Sequence, residues 1–206
     1  MAKPLGDVFL NIPYDEGFQR LFLAYIAGVN AFGFVPHATL EIPGSKRRLD
    51  RILDLIRDCH YSLHDLSRVQ RDRHPPATPR FNMPFELGLA VVWDQVDRKR
   101  HNWFVFESVR HRVSKSLSDL DGTEVYIHEG TIRGVFRELC SAFVRQERQP
   151  TVAQMRLIYG DLRHSLPEIL RRAGAGDPFQ ARVFREICVV ASESADRRVA
   201  QRRPEK

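Results

Sequence analysis

Cysteine is scarce. Cys59, Cys140 and Cys188 are the only three in 206 residues. They are far apart and odd in number, so neither a disulfide frame nor a zinc cluster is expected, and they read as buried thiols of a reducing compartment. No apolar run approaches the roughly 18 residues that cross a bilayer. The opening stretch MAKPLGDVFLN has one lysine and no long apolar core, unlike a secretory signal. These absences predict a cytoplasmic protein with no membrane partner. Also missing are a GxGxxG fingerprint, a phosphate-cradling P-loop, an HxxxH or HExxH pair and a GxSxG elbow. With them go a dinucleotide-redox site, an NTPase cradle, a helical zinc site and a hydrolase serine. No metal and no cofactor are expected. No segment repeats and none is of low complexity.

The hydrophobic content is 43%, enough for a substantial core. The net charge is +6, but from Thr151 onward 11 Arg and Lys stand against 7 Asp and Glu, so 11 − 7 = 4 of that excess lies in the C-terminal quarter. No basic stripe with interleaved aromatics accompanies it, so nucleic acid is not an expected partner.

Short apolar runs at 7–12, 34–38, 61–65, 103–106 and 124–128 read as strands, the second weakened by Pro36 unless it lies at an edge. Between them, apolar residues at helical spacing predict an amphipathic helix over 17–31 and further helices over 47–58, 83–97 and 132–148. Pro43-Gly44 marks a turn, and residues 68–79 form a polar, proline-rich loop. Strands alternating with helices predict a doubly wound α/β domain with five parallel strands over 1–149. Residues 150–206 read as a helical hairpin joined at Gly174 to Pro178, ending in a frayed basic tail. It has two places to pack, the sheet domain or a second copy.

Ligands of such sheets bind beyond the carboxyl ends of the strands. That rim collects Asn11, Pro13, Tyr14 and Asp15 after the first strand, the 39–48 loop after the second, and Asp65 and Ser67 after the third. Asn82 to Glu86 open the helix that follows, and Glu107 and Ser108 come after the fourth strand. Glu86 stands out, a carboxylate inside the apolar stretch RFNMPFELGLAVVW. One reading is a helix-start device, with Asn82 as N-cap, Pro84 in the first turn and Glu86 meeting the positive helix end. The other is a desolvated carboxylate facing a cleft, able to stabilise or attack an electron-poor sugar carbon. Asp65 fits either a turn that bonds its own backbone or an acceptor for a ribose hydroxyl. Ser45, Lys46, Arg47 and Arg48 open a helix, as a charged first turn or as an anion site capped by Ser45. Tyr14 either stacks on a base or covers the core edge. His64 and His128 read as structural strand histidines.

The residues Asp7-Val8-Phe9-Leu10-Asn11-Ile12-Pro13-Tyr14, the loop ending in Pro43-Gly44, Asp65-Leu66-Ser67 and above all Phe85-Glu86-Leu87-Gly88-Leu89-Ala90 resemble the TIR-like and nucleoside 2-deoxyribosyltransferase-like group of bacterial proteins. The likeness spans about residues 7 to 145. It implies a flavodoxin-like fold and chemistry at an N-glycosidic bond. Glu86 would be catalytic and Asp65 would assist. Asn11, Tyr14, Arg48, Ser67 and Asn82 would bind the substrate, and the 39–48 loop would cover it and mediate self-association. The expected activity is cleavage of NAD or NADP as substrate, in antiphage defence, controlled by homo-oligomerisation or by a protein docking on 151–199. The further acidic residues that transferases carry before their glutamate are absent here, which favours NAD cleavage over nucleobase exchange. Alternatives are a deoxyribosyltransferase-like enzyme and a module that binds a nucleotide signal without turnover.

Overall fold

The computed structural model describes residues 4–41, 47–69, 78–97 and 101–200. Five strands, β1 (Asp7–Asn11), β2 (Val35–His37), β3 (Tyr61–Asp65), β4 (Asn102–Glu107) and β5 (Val125–Ile127), form one sheet in the order β2-β1-β3-β4-β5. Every pairing is parallel. The helices are α1 (Gln19–Phe32), α2 (Arg48–Asp58), α3 (Asn82–Val96), α4 (Arg112–Ser116), α5 (Ile132–Ala142), α6 (Val152–Ala173) and α7 (Ala181–Ala200). This is the flavodoxin-like doubly wound arrangement, with α6 and α7 as a C-terminal hairpin. The chain winds outward from β1 to β2 and then returns to β3 on the other side. A crevice therefore opens beyond β1 and β3, where the winding direction changes.

Side chains alternate across the strands with period two. On β1, Val8 and Leu10 face α1 and α5, while Phe9 packs with Ile52, Ile56 and Ala90 of α2 and α3. Pro36 lies in the edge strand β2, where a missing N–H need not break a ladder.

Helix α1 departs from the amphipathic expectation, because every residue from Leu21 to Phe32 is buried. A helix hydrophobic all round must be covered all round. The hairpin supplies the outer cover. Met155, Ile158, Leu162, Phe184 and Ile187 belong to the same apolar cluster as α1 and the sheet. The hairpin thus packs on the sheet domain, and the two segments share one continuous core.

Other differences are local. Helix α5 stops at Ala142, short of the expected 148, because the Gln149 side chain donates to the carbonyls of Phe143, Val144 and Gln146 at 2.8, 3.2 and 2.7 Å and turns the chain away. Helix α4 was not anticipated, since its five residues are too few to show a period. Asn82 is the first residue of α3 and not its cap. Phe81 holds the cap position, without a side-chain hydrogen bond. Ser45, the Pro43-Gly44 turn, most of the 68–79 loop and the tail beyond Ala200 lie outside the described residues. Cys59 is buried, Cys140 and Cys188 are half-buried, and all three are free thiols. Among the described residues, no helix is long and apolar enough to cross a membrane.

Candidate functional site

A cleft of about 420 Å³ opens beyond β1, bounded by the β1–α1 loop, the start of α2 and the first turns of α3. It brings together Asn11, Tyr14, Arg48, Asn82 and Glu86. Asp65 and Ser67 do not line it.

Glu86 is the fifth residue of α3, beyond the first turn, so it does not act as a helix-start device. Helical spacing places it on the stripe that includes Met83, Leu87 and Ala90, all buried, while Phe85 on the outer face is exposed. Glu86 itself is only 3% exposed. Burial drives its carboxyl from 4.5 up to about 7, and the Arg48 guanidinium, 3.8 Å away, offsets part of that rise. The carboxylate is therefore poised between its two forms near neutral pH.

Asn11 stands at the end of β1 and is oriented from behind by a buried chain of hydrogen bonds. His101 Nδ1 lies 2.9 Å from the Cys59 carbonyl, which can only accept, so this nitrogen carries the proton. With a neutral ring, His101 Nε2 accepts from the Ser62 hydroxyl at 2.9 Å. Ser62 Oγ in turn accepts from His64 Nε2 at 2.8 Å, which leaves His64 Nδ1 to accept from Asn11 Nδ2 at 2.8 Å. The second Nδ2 proton goes to the Met83 carbonyl at 3.2 Å. Both amide protons of Asn11 are thus committed, and what remains for the cleft is its oxygen, an acceptor suited to a hydroxyl. Burial pulls the His64 imidazole down to about 3, consistent with a neutral ring passing polarity along the chain.

Tyr14 donates to the Leu10 carbonyl at 3.2 Å, and burial pushes its phenol up to about 12. Its ring stands edge-on to Phe22 of α1 and 6.1 Å from Phe179, in the turn of the hairpin. The hairpin therefore reaches the wall of the cleft. Two cleft residues that sequence reasoning missed are Arg68 and Arg80, held by the two oxygens of Asp15 at 3.2 and 3.3 Å. The signal was available: an arginine-rich loop after β3 belongs at the ligand edge of such a sheet.

Asp65 is completely buried. Its Oδ1 accepts from the Ser67 backbone N–H at 2.9 Å, its Oδ2 accepts from the Tyr25 hydroxyl at 2.7 Å, and His128 Nε2 lies 3.1 Å from Oδ2 in electrostatic contact. Burial alone would raise this carboxyl. The His128 ring and Ser67 outweigh burial and hold it below its ordinary value. The turn reading of Asp65 describes this arrangement, and its oxygens are fully engaged within the protein. Ser67 contributes its carbonyl to Arg112 at 2.9 Å, and Arg112 also clamps the buried Glu107. Asp65, Ser67 and Glu107 thus tie strand ends together behind the cleft.

No model of a known protein family matches the chain, and no curated protein matches it either. The likeness to TIR and deoxyribosyltransferase proteins rests on the motif residues alone.

Proposed function

We propose that the cleft binds a dinucleotide of the NAD type and cleaves its N-glycosidic bond at Glu86. The observation that carries this reading is a carboxylate, 3% exposed and near half-ionised at neutral pH, in a cleft whose rim holds Arg48, Arg68 and Arg80. Such a site favours a ligand cationic at one end and anionic at the other. Oxidised NAD has that distribution, with a pyridinium on one ribose and a pyrophosphate beyond it. A cationic ring beside Glu86 would favour the ionised carboxylate, and the guanidinium groups would meet the phosphates.

In the proposed reaction the bond from ribose C1′ to the pyridinium nitrogen breaks, and its electron pair neutralises the ring, which leaves as nicotinamide. Glu86 stabilises the oxocarbenium-like carbon or bonds to it; a water oxygen then adds to C1′, its proton passes to solvent, and any C1′–Glu86 bond breaks with its electron pair returning to the carboxylate. Nicotinamide leaves as a neutral base, so no general acid is needed. Asn11 would accept from a ribose hydroxyl. The wall formed by Tyr14 and Phe179 gives the hairpin a route to the site, so a partner or second copy docking on 151–199 would control it.

The test is nicotinamide release from NAD by concentrated purified protein, with Glu86→Gln as control. Release that rises with pH through about 7 and is lost in the folded variant supports the proposal. Release unchanged in the variant, or absent from the wild type at high protein concentration, overturns it.

A further inference from the structure

A second groove, separate from the cleft, lies between the first turn of α5 and the outer face of α6. It is lined by Ile132, Arg133, Arg156, Tyr159, Arg163 and His164, with Gly160 among them. Arg156, Tyr159 and Arg163 fall at i, i+3 and i+7, so they form one stripe along α6. We propose that this groove is a binding site for clustered phosphates, such as a polyphosphate chain or the tail of a nucleoside triphosphate.

The lining carries no carboxylate, and Arg133, Arg156 and Arg163 make no ion pair or hydrogen bond among the described residues. Most other arginines of the hairpin are paired: Arg171, Arg172, Arg182, Arg197 and Arg198 sit beside Glu168, Glu186 or Asp161, and Arg185 is the exception among the described residues. Unpaired guanidinium groups gathered on one groove repel one another unless an anion joins them. The amino end of α5 adds its unpaired backbone N–H groups and the positive end of its dipole. Its cap, Thr131, accepts only from Gly134, at 2.9 Å.

Two further features belong to the groove. Tyr159 is 7% exposed and its ring meets Phe136 edge-on, yet its hydroxyl is buried without a partner. A buried hydroxyl in that condition is costly, and because it has no accessible surface it meets a phosphate oxygen only if its ring shifts toward the groove. The second is Gly160, in the interior of a 22-residue helix. Glycine there is about 1 kcal/mol worse than alanine. A Cβ at this position would meet nothing within 4 Å, so packing within the chain does not require its absence. It leaves the groove floor open for a ligand.

The experiment is calorimetric titration of the full chain with inorganic triphosphate and, in a second arm, with a nucleoside triphosphate. Equal affinities assign recognition to the phosphate chain, and tighter nucleotide binding adds contacts to the nucleoside. The double variant Arg156→Gln/Arg163→Gln is expected to bind about tenfold more weakly or worse. Arg145→Gln, which removes an exposed charge elsewhere, and Arg48→Gln, in the cleft, should leave this binding event in place. Gly160→Leu should melt no lower than the wild type and still lose affinity, a pairing that a purely structural glycine would not produce. Absence of binding, affinity unchanged in the double variant, or binding lost only with Arg48→Gln would overturn the proposal.

Discussion

Replacing Glu86 with glutamine should make the protein more stable at alkaline pH while abolishing the proposed activity. The folded state raises this carboxyl from 4.5 to about 7. At about 1.36 kcal/mol per unit, that difference amounts to about 3 kcal/mol. The native state binds the proton more tightly than the unfolded chain does. The contribution is therefore fully present below about pH 4.5 and is lost as pH rises through 7. Glutamine carries no charge at any pH and escapes that loss. The variant should thus gain about 3 kcal/mol on the wild type between pH 4.5 and 8.5, whatever constant offset its amide introduces. The assay is urea unfolding at several pH values, followed by the fluorescence of Trp93 on α3 and Trp103 on β4, both half-buried. His64, lowered to about 3 by burial, also makes wild-type stability pH-dependent as it resists protonation below 6.5, but it does so in both proteins and cancels in the difference. A gap that stays flat with pH would refute the reasoning, because it would mean that the Glu86 carboxylate is solvated and carries no burial penalty.

The remaining expectations concern the scaffold. Asp65→Asn should cost about 3 kcal/mol, since it disturbs a buried carboxylate bonded to Tyr25 and Ser67. The Asp65 carboxyl is held low, so its contribution is present at neutral pH and lost as pH falls below 3.8; denaturant titration reads the cost, and turnover per folded molecule should be retained. His64→Leu interrupts the chain from His101 to Asn11. It should cost about 2 kcal/mol by removing one of the two hydrogen bonds of Ser62 and one of the two of the Asn11 amide nitrogen, and should raise the KM for the substrate as the Asn11 amide loses its fixed orientation. Phe184→Ala on α7 should cost about 3–5 kcal/mol and lower the single melting transition of the whole chain, because Phe184 packs in the core shared with α1. Two separate transitions, with only one of them shifted, would show that the hairpin is independent.

The sheet and its order of elements were readable in the sequence because each strand is a brief apolar run between helices of clear period. The rim residues Asn11, Tyr14, Asn82 and Glu86 followed from one rule, that ligand-binding groups in an open parallel sheet stand past the strand ends. Arg48 followed from its place at the start of a helix on the same rim. Asp65 shows the limit of that rule. A residue at a strand end can face the cleft or turn beneath it, and the choice was made by Tyr25 and His128, which are 40 and 63 positions away in the chain. The role of Glu86 was ambiguous for a related reason. Its two readings differ by where the helix begins, and element ends are where sequence patterns are weakest.

The same difficulty explains the hairpin, although there the signal was in plain view. The run Leu21-Phe22-Leu23-Ala24-Tyr25-Ile26-Ala27 in α1 has no polar face, and a surface helix on a sheet needs one. Such a helix implies that something else covers it, and the only apolar helical faces left unassigned were those of 152–173 and 181–200. Burial of α1 and packing of the hairpin are thus two statements of one requirement. Its consequence reaches the site. Phe22, on α1, stands edge-on to Tyr14 and lies 5.2 Å from Phe179. The residues that bury α1 therefore also fix one wall of the cleft, so a displacement of the hairpin would change the position of Tyr14 before it reached Glu86.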